Sequence, residues 1–460
     1  MEQRVICAIC SIRIFRKREI PMKKILAMLL AGMVTVTAFA GCGGQDNQQQ
    51  KGNEGGNSGD AVYSDASWAD AAFGDEKDVT LKVWAPDAAV DLTKKQVEAF
   101  KEHYADSGVK FNIEVKPMEE SEAATNIVTD KSIAADVFGF PSDQFNRLMS
   151  AKVLQKLGTK FANSVKAYND ENPVKAATFT VDDKEGLYAF PETADNGYYL
   201  VYDNTVVTHP ETLEGILADC KAAGRTFIMD GGNGFYGCVY AFTGGAKIDG
   251  FESDGTTQKF TEYDETEVVN TLMAFAKLMK DYKGTYVHDA VAAISTGFTN
   301  KKVGAGIDGS WDTAANKKAL GNKLGAAKLP TINVNGTDKQ LVGLFGYKYI
   351  GVNVASKYPR SAMTLAYYLA GQECQEQRAK SNGWGPSNKE AAKAVADDPI
   401  LVALFEQGAV SVPQVNIADT LWTPMGNLGA EMYKDSWDPA NKDKTLELFN
   451  KVKANIRDEG

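Results

Sequence analysis

The chain has 460 residues, 44% hydrophobic and 24% charged, with 60 Asp+Glu against 50 Lys+Arg and a formal net charge of −10. That apolar fraction fills a sizeable core and excludes a disordered or fibrous body, while the length is compatible with about one to three domains. The acidic balance argues against a general nucleic-acid-binding surface, and six cysteines are too sparse for a disulfide scaffold.

Residues 1–21 place Arg16, Lys17, Arg18 and Glu19 ahead of a second Met and suit no export signal, so Met22 is read as the start. Met22-Lys23-Lys24 is followed by an uncharged apolar run, Ile25 to Phe39. The run is too short to span a bilayer but fits a signal-peptide core. Its end, Phe39-Ala40-Gly41-Cys42, resembles the lipobox of bacterial lipoproteins, with Phe39 where Leu is usual. The resemblance implies cleavage before Cys42 and a lipid on it. Removal of residues 1–41 takes seven of the 50 Lys/Arg and two of the 60 Asp/Glu, leaving 419 residues with a net charge of −15. Residues 42–78 then form the lipidated Cys and a Gly-, Gln-, Asn- and Ser-rich tether. A flexible chain of that length reaches about 30–35 Å. No later stretch approaches the ~18 apolar residues of a spanning helix.

The body alternates strand and helix patterns. Strand-like runs are expected at Val79 to Ala85, Phe111 to Val115, Asp136 to Phe140, Thr226 to Met229, Val303 to Ile307 and Leu341 to Val354. Helical spacing is expected at Asp91 to Tyr104, Glu119 to Lys131, Ser142 to Val153 and Asp264 to Tyr282. In the last, Val268, Leu272, Phe275, Met279 and Tyr282 step by four and three and make one apolar stripe. Repeated β-α-β units imply an α/β fold with largely parallel sheets flanked by helices.

Signals for catalysis are weak. Gly232, Gly234 and Gly237 fit a dinucleotide fingerprint but lie mid-chain, so a glycine-rich turn into a helix facing a cleft is preferred. His103, His209 and His288 are far apart without metal spacing and read as surface residues, and Cys220, Cys238 and Cys374 read as buried thiols. No Gly-x-Ser-x-Gly is present. No catalytic residue, metal or cofactor is expected, and the chain is read as a non-enzyme.

Aromatic and carboxylate residues cluster at element ends. Phe140, Asp143 and Gln144 leave one strand; Asp195, Asn196 and Tyr199 join two; Trp311 follows Asp308; Trp422 follows Val412-Pro413. In open α/β folds the carboxyl edges of strands bind ligands. Aromatic faces cover the C–H faces of a pyranose, and carboxylates and amides bond its hydroxyls.

Taken together, Val83-Trp84, Asp136 through Phe145, Leu187-Tyr188 with Pro191, Asp308 through Trp311, Gly351 through Asn353 and Pro413 through Trp422 occur in an order that resembles extracellular solute-binding proteins of the maltose/maltodextrin-binding family. The resemblance covers Val79 to the C-terminus. It implies a two-lobed type II periplasmic-binding-protein fold, each lobe a mostly parallel sheet flanked by helices and joined by hinge strands. The lobes would be 79–193 plus 349–395 and 194–348 plus 396–460. It implies ring stacking at Phe140, Trp311, Trp422 and Phe235 or Tyr236. Hydroxyl bonding would fall to Asp143, with Gln144 where the family has Arg, and to Asp195 or Asn196. Asp87 stands near the position of an absent charged pair, now Ala88 and Ala89. The implied function is capture of an oligosaccharide, an α-1,4-glucan by the Asp195 to Tyr198 stretch, and its delivery to an ABC permease. The receptor would be a monomer held by Cys42 lipid on the outer face of a Gram-positive-type membrane, with no nucleic-acid partner. The rival readings are a receptor of the same fold for another oligosaccharide or a polyamine, and a secreted glycoside hydrolase.

Overall fold

The computed structural model describes residues 72–252, 257–261 and 263–456. The signal, Cys42 and most of the tether lie outside the described residues. Ten strands form one curled sheet: β1 (Asp78–Ala85), β2 (Lys110–Pro117), β3 (Val137–Pro141), β4 (Phe190–Asp203), β5 (Thr226–Ile228), β6 (Tyr286–Val287), β7 (Val303–Gly309), β8 (Leu324–Ala327), β9 (Leu344–Val352) and β10 (Val412–Pro413). Their order is β6-β5-β7-β4-β9-β3-β1-β2, with β8 on β4 and β10 on β9.

The outer triplets are parallel, β2-β1-β3 at one end and β6-β5-β7 at the other. The long central strands β4 and β9 run antiparallel to each other, to β7 and to β3. The fold is therefore α/β as expected, with parallel outer strands and antiparallel crossing strands. Pairing of β4 with β9 slips around Lys348, between Gly346↔Asn196 and Tyr349↔Pro191. Such slips re-aim side chains.

The helices include α1 (Val90–His103), α2 (Glu120–Thr129), α3 (Phe145–Ser150), α4 (Gly234–Thr243), α5 (Glu265–Asp281), α6 (Gln372–Asn382), α7 (Pro399–Gly408) and α8 (Trp422–Met432), of which α1, α2 and α5 fall where helical spacing is expected. The Asp264 carboxylate caps α5 by accepting from Thr266 and Glu267 N–H at 2.8 and 3.3 Å. Its apolar stripe, Val268, Leu272, Phe275 and Met279, is buried. The expected helix from Ser142 to Val153 is shorter: a 3-10 turn, Ser142–Gln144, leads into α3.

Apolar side chains gather into separate cores. One joins Leu81 and Val83 of β1 and Phe138 and Phe140 of β3 with Phe100, Tyr349 and Leu365. Another joins Tyr198, Phe227, Tyr240, Phe275, Ile307, Met425 and Phe449. A third joins Tyr199, Val201, Ile228, Leu401 and Leu404. Alternation along β4 sends Tyr198 and Leu200 to one core and Tyr199 and Val201 to the next, because successive strand residues face opposite sides. Among the described residues no helix is long and apolar enough to cross a membrane.

The glycines of the apparent dinucleotide fingerprint serve packing. A Cβ on Gly234 would lie 2.0 Å from the Trp422 carbonyl oxygen, and one on Gly237 would lie 2.4 Å from that of Met425. Gly426 and Gly429 of α8 are equally tight against the carbonyls of Gly232 and Gly231, at 2.3 and 2.0 Å. Backbones of α4 and α8 thus meet without intervening side chains, which seats Trp422 over the start of α4. His288 is not a surface residue: its ring stacks on Tyr433 at 4.1 Å and bonds the Tyr240 hydroxyl at 2.9 Å. Burial holds it down at about 4.

Gly237→Ala or Gly429→Ala should lower stability by about 1–3 kcal/mol through overpacking. Gly232→Ala, exposed and with no atom within 4 Å of its Cβ, should stay within about 0.5 kcal/mol. Urea denaturation midpoints of the three variants check this.

Candidate binding cleft

Four aromatic residues singled out in the sequence meet. Trp311 stands in the 3-10 turn after β7, and Phe235 in the first turn of α4, whose cap Asn233 accepts from Phe235 N–H at 3.0 Å. Trp422 opens α8. Phe235 lies 5.9 Å from Trp311 and 6.4 Å from Trp422, and Tyr236 lies 6.5 Å from Trp311. Tyr198 supports them from below, stacked on Tyr236 at 5.2 Å. Its hydroxyl donates to the Phe235 carbonyl. Phe235, Trp311 and Trp422 keep partial exposure, whereas Tyr236 is 3% exposed. The Tyr236 hydroxyl is buried without a partner.

Beside them lies an amide and carboxylate network. The Asp143 carboxylate accepts from Gln144 Nε2 and Gln414 Nε2, both at 2.8 Å. Asn196 Nδ2 donates to Gln414 Oε1 at 2.7 Å, and Ser142 Oγ donates to the Gln414 carbonyl at 2.6 Å. Burial pushes the Asp143 carboxyl up to about 6, against the pull of the Gln144 and Gln414 donors. Asp143, Gln144 and Asn196 are thus brought together by Gln414, which the sequence reading overlooked. Its place beside β10, just before the Trp422 segment, is the signal that was available.

Asp195 belongs to a different group. Its Oδ2 accepts from Gly385 N–H at 2.5 Å. It shares a buried charge cluster with Glu120, Glu192, Lys348 and Arg378, all at most 7% exposed. Lys348 Nζ pairs with Glu120 at 2.6 Å, and Arg378 Nε with Glu192 at 3.0 Å. Burial acts to lower the Lys348 ammonium, but Glu120, Asp195 and Glu192 outweigh it and the net shift is upward. Burial raises the Asp195 and Glu192 carboxyls, opposed chiefly by Lys348 and Arg378 respectively. Lys348 Nζ lies 4.7 Å from the ring centroid of Trp384 and 5.9 Å from that of Trp311. The segment carrying Trp384 is fixed to β4 by the Ala194 N–H bond to the Gly385 carbonyl, 2.9 Å. A narrow cavity beside this cluster is lined by Trp84, Thr93, Glu120, Glu192, Arg378 and Trp384.

Two expectations stand apart. Phe140 is wholly buried between Phe138 and Tyr349, with ring centroids at 5.6 and 5.7 Å, and belongs to a core rather than the aromatic row. β3 is buried on both faces, so its residues show no alternation that would mark an outward position. Asp87 is exposed at the head of a 3-10 turn, with its N–H held by Glu119 Oε1 at 3.2 Å, and makes no bond to either network. Cys220, Cys238 and Cys374 are buried free thiols, as expected, raised by burial, Cys220 to about 12 and Cys374 to about 11. No group of three metal-binding side chains occurs among the described residues.

A family described as bacterial extracellular solute-binding protein matches residues 95–403. A solved structure with acarbose is 25% identical, with a TM-score of 0.71 over 83% of this chain and 99% of the other. A maltodextrin-binding protein from L. casei BL23 is 23% identical, with a TM-score of 0.67 over 82% and 99%. A Thermus thermophilus maltotriose-binding protein, bound with maltotriose, is 21% identical, with a TM-score of 0.65 over 82% and 98%. These likenesses establish the two-lobed fold of periplasmic binding proteins. No curated protein matches the chain.

Asp143 carries a pH signature. Its folded value of about 6 lies above the ordinary Asp value near 3.9, so the folded state holds more protons than the unfolded between roughly pH 4 and 6. Stability from this group is therefore greatest below about pH 4 and falls as pH rises to about 6, by about 2–3 kcal/mol. Asp143→Asn should remove that component, so the stability difference between variant and wild type should change by that amount between pH 4 and 7. Urea unfolding at both pH values measures it.

Proposed function

The chain belongs to the bacterial extracellular solute-binding proteins, and from that premise we propose that it is the substrate-binding lipoprotein of an ABC importer for maltodextrin-type oligosaccharides. The observation that carries the ligand class is the row Trp422, Phe235, Trp311, flanked by the Asp143–Gln414–Asn196 network. Flat apolar faces beside fixed acceptors and amides match the two surfaces of a pyranose. Structural relatives named for maltodextrin and maltotriose binding support the same ligand.

The lobes of this reading are residues 79–193 plus 349–395 and 194–348 plus 396–460, with β4 and β9 as the strands that flex. An oligosaccharide touching both lobes favours the closed state in proportion to its differential affinity for it. Micromolar capture corresponds to about −8 kcal/mol, which stacked rings and charge-assisted hydrogen bonds supply net of ordering. Tighter binding would hinder release to the permease. Cys42 supplies the lipid, and the tether lets the body turn above the membrane.

Maltotriose should give a saturable tryptophan fluorescence change in the micromolar range, and Trp311→Ala or Trp422→Ala should weaken it about tenfold or more. The sugar should be recovered intact; release of new reducing ends would instead indicate a hydrolase. Titrations unchanged in both variants would remove the proposed cleft. Separately, Cys42→Ser should move the protein from the membrane fraction to the medium, read by fractionation and labelled-palmitate incorporation.

A further inference from the structure

Three buried carboxylates, Glu120, Glu192 and Asp195, act on the Lys348 ammonium where β4 pairs with β9, and two tryptophan rings lie near it. Carboxylates beside aromatic faces are the arrangement that captures ammonium ligands. Here the ammonium belongs to the chain. Lys348 Nζ sits 2.6 Å from Glu120, 4.7 Å from the Trp384 centroid and 5.9 Å from that of Trp311. All three lie within the reach of strong charge and cation–π contact.

We propose that Lys348 is a specificity-determining residue: its ammonium occupies the cation site formed by Glu120, Trp384 and Trp311, so that the cleft admits uncharged ligands and excludes amines. The inference deepens the reading of this cleft as a ligand site and rests on it. With Lys348 and Arg378 present, two cations stand against three carboxylates. An entering ammonium would find the position beside Glu120 and Trp384 already filled by Lys348, and could bind there only by displacing it. A hydroxyl meets no such barrier. It can accept one of the three ammonium donors and donate to a carboxylate. Two polar atoms await such a partner: Glu120 Oε1 and Trp384 Nε1 are buried with none. Both residues line the narrow cavity that Glu192 and Arg378 also line, at 7% and 2% exposure.

Removal of the resident cation should convert the site. In Lys348→Ala, propylammonium restores the missing stem and charge. It should bind roughly thirtyfold more tightly than to wild type, the scale of a desolvated cation–π contact. The shift of the thermal unfolding midpoint with propylammonium and with putrescine reads this. Lys348→Ala combined with Glu120→Gln should lose most of the gain. The proposal is overturned if wild type binds either amine as tightly as the variant does, or if the folded variant gains nothing. Should the single variant emerge unfolded, recovery of its near-ultraviolet circular dichroism by propylammonium but not by sodium supports the proposal, and no recovery overturns it. An amine gain in a protein whose wild type ignores maltotriose and longer glucans would remove the sugar reading and leave this one standing.

Discussion

An ammonium and a guanidinium buried at a strand crossing must be matched by anions, and much of the centre of this molecule follows from that requirement. Desolvating each ion costs several kcal/mol, and losing one partner of such a pair typically costs about 3–5 kcal/mol. Lys348 and Arg378 therefore fix the positions of Glu120 on α2 and Glu192 on β4. The same charges bring in Asp195, whose carboxylate in turn holds the Gly385 N–H and with it the Trp384 turn. Elements from four separated stretches of chain are tied to one point. A purely apolar crossing would be simpler to stabilise, but it would offer a polyhydroxyl ligand neither donors nor acceptors.

Rigidity on the other side of the cleft has a different origin. There the α4 and α8 backbones meet through glycines, and contact at that distance leaves no slack for Trp422 to drift from Phe235. Trp311 is held by its turn after β7, whose Asp308 is itself bonded to Gly309 N–H and Asn316 Nδ2, both at 2.7 Å. The aromatic row thus stands on close-packed backbone, while the opposite wall stands on paired charge. Trp311 joins both systems, with its ring 5.9 Å from that of Phe235 and 5.9 Å from the Lys348 ammonium.

Legibility from sequence divides along physical lines. The stripe on α5 and the alternation of β1 were readable because one face of each is apolar and period reveals it. Trp311 and Trp422 were readable because these bulky aromatics follow polar or turn residues, and Phe235 or Tyr236 only through the family resemblance. Phe140 was misread because a strand buried on both faces carries no inward–outward signal. The charge cluster escaped notice because its members are distant in sequence and two lie in uninformative settings. Arg378 sits in α6, QECQEQRAKSN, which has no apolar stripe to show that any face is buried. Lys348 left a clue, as a single charge among Phe345, Tyr347, Tyr349 and Ile350 in a strand otherwise fit for a core. A lone cation in such a run needs a buried anion, and the sequence of β9 alone carries that demand.

The carboxyls of the cleft also share a common electrostatic logic. Burial raises Asp143 to about 6 and raises Asp195 and Glu192 as well. Internal donors and cations oppose each: amides for Asp143, Arg378 for Glu192, and for Asp195 the Lys348 ammonium that also pairs with Glu120. The two networks together therefore set two cations, Lys348 and Arg378, among four buried carboxylates, and offer many strong acceptors. On the proposed reading the Lys348 ammonium fills the cation position before any ligand enters, and the aromatic row then selects among neutral ligands those with flat apolar faces.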